Sequence, residues 1–357
     1  MSGQRLLPDE VQPWKPPVAS GKLPVMADSV NDNPHDPAQQ GMADILVSLP
    51  AVRAGRKANG LSRIDRRLIE PIETGQDNER LAFQHTVFCQ TSLPYRDPGD
   101  AVREWQREQG MVSLLVEAGQ VRHPKTQQWV KVGLPWGTKP RLILSHLNAE
   151  ALRQGSPVIE IESSLSAFVK RVRGFNGGRE IHAFKDQLTR LSAALIRMAV
   201  PRGENHTHQI ESKVITAFDL WLQKDARQRV LWPATIQLSL DYFASLQEHA
   251  VPLHEADLAA LAHSAMALDL YAWLAQRLHR IDPRRPAFVQ WPALMQQFGP
   301  GYGRMSNFKG PFRTALQQVL TRYDAARIEV DDHGLRLLNS PPPVTKRLVM
   351  LPPKSLT

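Results

Sequence analysis

Cysteine is almost missing from this chain: Cys89 is the only one among 357 residues. No internal disulfide can form, no cysteine-based zinc site is possible, and nothing argues for an oxidising compartment. Long apolar runs are missing too. No stretch approaches the roughly 18 residues that span a bilayer, and the N-terminus, MSGQRLLPDEVQPW, lacks an apolar signal core. The expectation is a cytoplasmic protein that does not enter a membrane. There is no GxxxxGKS/T loop to cradle nucleotide phosphates and no HExxH pair of metal ligands.

What is present is an ordinary globular composition, 42% hydrophobic and 22% charged, in a chain long enough for two or three domains. The net charge of +9 is concentrated, because residues 121–230 alone hold eighteen basic against nine acidic residues. Residues 1–60 are balanced, 61–120 are acidic by three, and 231–357 are basic by three. Positive charge gathered in one segment favours a polyanion, most simply nucleic acid, over a merely crowded surface.

Residues 1–60 are rich in Pro, Asp, Asn, Gln and Ser without sustained periodicity and read as a mostly disordered tail. Within it ADILVSLPAV at 43–52 offers a short docking segment. A polar helix is expected at 62–73, and another in DPGDAVREWQREQG with Asp100 as its N-cap. MVSLLVEAG at 111–119 and QQWVKVGLP at 127–135 read as strands joined through His123, Pro124 and Lys125. A helix at 141–154, a strand at 157–163, a helix capped by Ser163 or Ser164, and a helix over 179–199 follow. The β-branched and aromatic runs at 213–222 and 230–240 read as a hairpin.

The order then recurs. A long helix from His254 to Arg280 precedes the strand FVQW, the helix PALMQQFG, the glycine-rich turn PGYGRMSN, a helix to Tyr323, and two short strands about Asp332 to Gly334. Helix, strand, helix, turn, helix and a two-stranded wing describe a winged helix. The chain is therefore expected to be α+β and mainly helical: a first winged-helix domain with an N-terminal β-extension at 61–248, a second at 249–340, and a C-terminal tail at 341–357.

The helix over 179–199 has two faces. Ile181, Phe184, Leu188, Leu191, Leu195 and Met198 form a buried stripe, while Arg179, His182, Asp186, Thr189, Arg190, Ala193 and Arg197 lie opposite, with Lys185 on the flank. Guanidinium forks and short polar groups suit the edge of a DNA groove, although a solvated amphipathic helix gives the same pattern. In the second unit Phe308, Phe312, Leu316, Val319, Leu320 and Tyr323 point inward, opposite Arg313, Thr314, Gln317, Gln318 and Thr321. Gln pairs with adenine and Arg with guanine in the major groove. Pro311 fits as the first helical residue after Gly310 and would kink a helix beginning at Ser306.

Enzyme chemistry finds little support. His206-Thr207-His208 has the spacing of the paired metal-binding histidines of strand-nicking initiators, but threonine replaces the apolar middle residue and PRGENHTHQ reads as a loop. The tyrosines at 95, 242, 271, 302 and 323 have the setting of core or turn residues rather than of a nucleophile. Trp232, Trp273 and Trp291 are assigned to packing. No catalytic residue, metal or cofactor is expected.

The strings FCQTSLPYRDPGD, GLPWGTKPRLILSHLNAEAL, SPVIEIESSLSAFVKRV, REIHAFKDQLTRLSAALIRM, VLWPATIQLSLDYFASL and ALAHSAMALDLYAWLAQRLHRI closely resemble the plasmid-encoded RepA replication initiators, over about Phe88 to Pro343. The resemblance implies an origin-binding protein that reads iterons, helps open an adjacent A·T-rich segment, and recruits host initiator and replicative helicase; it also implies a homodimer that represses its own gene. Gly310-Pro311 departs from the helix-compatible pattern. On this reading Lys170, Arg171 and Arg173 clamp phosphates while Arg179, His182, Lys185, Asp186, Thr189 and Arg190 enter the major groove. Arg304, Ser306, Asn307 and Lys309 hold backbone, and Arg313, Thr314, Gln317 and Gln318 read bases. The alternatives are a winged-helix transcriptional repressor, a nicking enzyme, and an interaction protein whose basic surface is incidental.

Overall fold

The structure, a computed structural model, describes residues 80–123, 126–174, 177–201, 207–217 and 235–344. The expected docking segment at 43–52, the helix at 62–73, most of both tails, His206 and Trp232 lie outside the described residues.

β1 (Leu81–His85) turns directly into α1 (Thr86–Gln90), because His85 Nδ1 accepts the Val87 amide at 3.2 Å and caps the helix. The helix expected after Asp100 is instead a strand, β2 (Glu104–Gln109), in which half-buried Trp105, Arg107 and Gln109 alternate with exposed neighbours. Gly110, at φ 58°, supplies the positive φ of a two-residue hairpin loop into β3 (Val112–Glu117). The hairpin expected between 111–119 and 127–135 is therefore divided. β3 pairs with β2, and a separate ribbon of β4 (Gln120–Arg122) and β5 (Trp129–Lys131) follows.

The first repeat of helix and strand comprises α2 (Thr138–Gln154), β6 (Val158–Glu160), α3 (Leu165–Arg173) and α4 (Gly178–Ala193). Ser164 Oγ caps α3 by accepting the Ala167 amide at 3.1 Å. The helix expected to reach Ala199 ends at Ala193, because Ala194 is extended and β7 (Leu195–Pro201) begins. Leu195 and Met198, three apart, fit a helix stripe, but buried Ile196 and Met198 flanking half-buried Arg197 show the period of two that a sheet requires. β7 joins β3 to β8 (Thr207–Ser212), giving an antiparallel sheet ordered β2-β3-β7-β8. Beyond it, β9 (Ile215–Ala217) and β10 (Thr235–Leu238) pair as expected, and β10 also pairs with β6.

α5 (Leu240–His249) leads to β11 (Ala250–His254), which pairs with β1 along its whole length. The single helix expected from His254 to Arg280 is broken into α6 (Glu255–Leu261) and α7 (Ala265–Arg277), with a 3-10 turn at Leu278–Arg280. Ser264 Oγ, accepting the Ala267 amide at 3.2 Å, starts the second helix and so ends the first. The second repeat continues with β12 (Ala287–Gln290), α8 (Trp291–Phe298), α9 (Met305–Leu320), β13 (Ile328–Val330) and β14 (Gly334–Leu337). Its sheet, β12-β14-β13, has the same order of first, third and second strand as β6-β10-β9.

α9 begins at Met305 and runs through Gly310-Pro311, which corrects the expected start after Gly310. Pro311 removes one amide and leaves the Asn307 carbonyl without its helical partner. Both residues are exposed, so water can satisfy that carbonyl, while Phe308 and Phe312 on the opposite side are fully buried. Burying two aromatic rings, at about 1.5–3 kcal/mol each, offsets the lost bond. The core centres on α7, where every side chain from Met266 to Gln276 is buried. Around it, Tyr242 Oη donates to Asn148 Oδ1 at 3.0 Å and Gln297 Nε2 to the Gln90 carbonyl at 2.9 Å, so buried polar groups far apart in sequence are satisfied together.

Candidate nucleic-acid interface

In each repeat a helix with one apolar stripe packs on the core and turns its other side outward. On α9 the outward row holds Arg304, Ser306, Asn307, Arg313, Thr314 and Gln317, all exposed. Residues 306, 313 and 317 recur at helical spacing along one line. Beneath them Trp291 is 2% exposed and packs edge-on against Phe308 and Phe312, so its assignment to packing holds. The same indole also carries two cations, Lys309 Nζ at 5.0 Å and the Arg313 guanidinium carbon at 5.4 Å from its centroid. Arg313 is thereby held at the rim of a rigid ring with its fork still in solvent. Thr314 Oγ1 donates back to the Gly310 carbonyl at 3.2 Å.

Two residues of this helix behave otherwise than the sequence suggests. Lys309 Nζ donates to the Asp332 carbonyl at 3.1 Å, tying α9 to the turn between β13 and β14. Gln318 is half-buried, with its amide hydrogen-bonded to His263 Nε2 at 3.1 Å, so it faces the α6–α7 connection and not the outward row. The β13–β14 turn is itself set by Asp331, whose Oδ1 accepts the His333 and Gly334 amides at 2.7 Å each. Those two bonds hold its carboxyl below the ordinary carboxylate range.

On α4 the outward face is narrower than its sequence. Arg179 and His182 are exposed, as is Lys170 on α3. Arg171 pairs with Glu255 at 2.8 Å and Arg173 donates to the Ala259 carbonyl at 3.3 Å, both bracing α3 against α6. Thr189 is buried and donates to the Lys185 carbonyl at 2.8 Å. Arg190 is bound to Asp186 Oδ2 at 2.9 Å and reaches the Leu134 carbonyl at 3.4 Å, while the Asp186 side chain remains 51% exposed. Lys185 is half-buried, and burial lowers its pKa. Arg197, counted on this face, stands in β7 between Glu117 and Glu211.

At Arg190 and Ala193 the segment around Gly119 and Gly133 packs on the C-terminal end of α4. A Cβ at Gly119 would overlap the Ala193 carbonyl, and one at Gly133 would overlap the Arg190 guanidinium. No periodicity within α4 reports this. Trp129, within the strand expected at 127–135, is 67% exposed on strands that lack acidic residues, a setting no local pattern in the sequence reports. Among the described residues no group of His, Cys, Asp and Glu is arranged to hold a metal ion, and no helix is long and apolar enough to cross a membrane.

The described fold is a mixed α and β architecture in which two like-ordered repeats each present one exposed polar helix face. Residues 134–292, which span the whole first repeat and the start of the second, match the family of plasmid encoded RepA proteins. No curated protein matches the chain. Two crystal structures of domains 2 and 3 of RctB, one a selenomethionine derivative, are similar to it at TM-scores of 0.41 and 0.40 and 10% and 9% identity. They cover 70% and 68% of this chain, and 94% and 84% of their own chains are matched.

Proposed function

We propose that the chain is a plasmid replication initiator that binds double-stranded DNA at repeated origin sites through two winged helices, opens the adjacent DNA, and recruits the host initiator and replicative helicase, with no catalytic activity, metal or cofactor of its own. The observation that carries this reading is the α9 face: Arg304, Ser306, Asn307, Arg313, Thr314 and Gln317 are exposed together, uncompensated by acidic side chains on that row, over a rigid aromatic base. Hydrogen-bonding groups of this kind recognise base edges and phosphates, where a merely solvated face would alternate charges. The match of 134–292 to the plasmid encoded RepA family supports replication over repression alone.

The two helices divide the work. α9 reads bases through Arg313, Thr314 and Gln317, while α4 and the end of α3 hold phosphates through Arg179, His182 and Lys170. Two such helices about one turn of DNA apart cover a site of roughly twenty base pairs. The resemblance to RepA initiators also implies a homodimer that represses its own gene. The test is to supply the gene with an origin-bearing DNA fragment in a host lacking both. Stable inheritance of the fragment supports the proposal, whereas promoter repression without replication would make the protein a repressor.

A further inference from the structure

We infer that the paired strands β4 and β5 form a separate contact for single-stranded DNA, in which the Trp129 indole stacks on an unpaired base and Arg122 and Lys131 hold the flanking phosphates. The inference rests on the DNA-binding reading above and adds to it a site outside both helix faces. In the register of β4 and β5, Arg122 lies opposite Trp129 and Gln120 opposite Lys131, so these four share one face of the ribbon. All four are exposed. On the other face Val121 is 7% exposed and anchors the β4 side of the ribbon, while its partner Val130 is 43% exposed. No Asp or Glu occurs anywhere from Ala118 to Ala149.

The ribbon is held firmly at its base. The Arg103 guanidinium donates to the Val132 carbonyl at 2.7 Å, to Ala118 at 2.7 Å and to Gly119 at 3.0 Å, and the Val132 amide donates to the Gly119 carbonyl at 3.2 Å. At the tip Arg122 Nε donates to the Gln127 carbonyl at 3.3 Å and His123 Nδ1 accepts the Thr126 amide at 3.2 Å. Trp129 is thus presented on a fixed support. An open indole face beside cations fits a base face and its phosphates. In duplex DNA the base faces are covered by their neighbours, which is why the ribbon fits an unpaired strand. Gly119 lies against Ala193 at the C-terminal end of α4, some 14 residues from Arg179, so the ribbon stands roughly 20 Å along the helix from the end proposed to hold duplex.

The test uses the full-length protein, a fluorescein-labelled 15-nucleotide oligothymidine, and labelled origin duplex, each followed by anisotropy. Trp129→Ala should weaken oligothymidine binding at least fivefold and leave origin-duplex binding unchanged. Trp129→Phe should retain most of it. Arg122→Ala and Lys131→Ala should each reduce the salt slope on oligothymidine by about 0.7. Wild-type protein that ignores oligothymidine at low salt, or Trp129→Ala that binds it like wild type, overturns the inference. Equal losses on strand and duplex overturn it as well, by assigning the ribbon to duplex. Failure of the wild type to distinguish origin from random duplex would defeat the initiator reading instead, and the oligothymidine result would remain readable.

Discussion

Arg141 and Asp269 form a two-pronged ion pair in the interior, Nε to Oδ1 at 2.7 Å and Nη2 to Oδ2 at 2.8 Å, joining α2 of the first repeat to α7 of the second. Arg141 also donates to the Leu93 carbonyl at 2.8 Å, so its fork is used on both sides. Burial works against the guanidinium charge, yet the adjacent carboxylate holds Arg141 above its ordinary range. The pair is one direct side-chain link between the two repeats.

Breaking one side of that pair leaves a buried charge alone. Arg141→Met or Asp269→Leu should each cost about 3–5 kcal/mol, and the double substitution less than the sum of the two. Urea unfolding of the three variants checks this; additive losses would show that the two side chains do not depend on one another.

His85 gives the fold an acid-sensitive joint. Its Nδ1 accepts the Val87 amide, so the neutral ring keeps its proton on Nε2 and donates to Ser245 Oγ at 3.0 Å. Burial, with the neighbouring His249 adding to it, lowers its pKa from 6.5 to about 3. The unfolded chain therefore binds a proton that the folded one refuses, and stability rises with pH between about 3 and 6.5 and is level above. Between pH 6.5 and 5 the loss should be about 2 kcal/mol. His85→Asn, which keeps a capping oxygen, should remove that part of the slope; an unchanged slope in chemical denaturation would exclude His85 as its source.

Base-reading and phosphate-holding residues should separate in binding measurements. Arg313→Ala or Gln317→Ala should cost roughly 1–3 kcal/mol on the cognate site and little on random DNA, whereas Lys170→Ala should weaken both alike and flatten the salt slope by about one. The same loss on both DNAs for all three variants would remove the distinction between the helices.

Arg190 tests the narrowing of the α4 face. Because it is bound to Asp186 and the Leu134 carbonyl, Arg190→Ala should lower the thermal midpoint and leave the ratio of cognate to random DNA binding intact. A selective loss on cognate DNA would return Arg190 to the interface.

The sequence by itself determined the repeating order of elements and the inner stripe of α9, because apolar spacing in a helix and alternation in a strand are local properties. It also determined the outward row that includes Arg313 and Gln317, since nothing packs over that side of α9. Where the periods of helix and strand overlap, as at Leu195 and Met198, pattern alone could not choose; pairing of β7 with β3 and β8 did. Tertiary structure alone decided the fate of Arg171, Arg173, Thr189, Arg190 and Gln318, because each is used by a partner on another segment or by the packing of its own helix. The same was true of Trp129, which stands exposed on β5 while Val121 of the neighbouring strand is buried. A side chain's chemistry is written in the chain, but whether that chemistry remains available depends on which distant atoms reach it first.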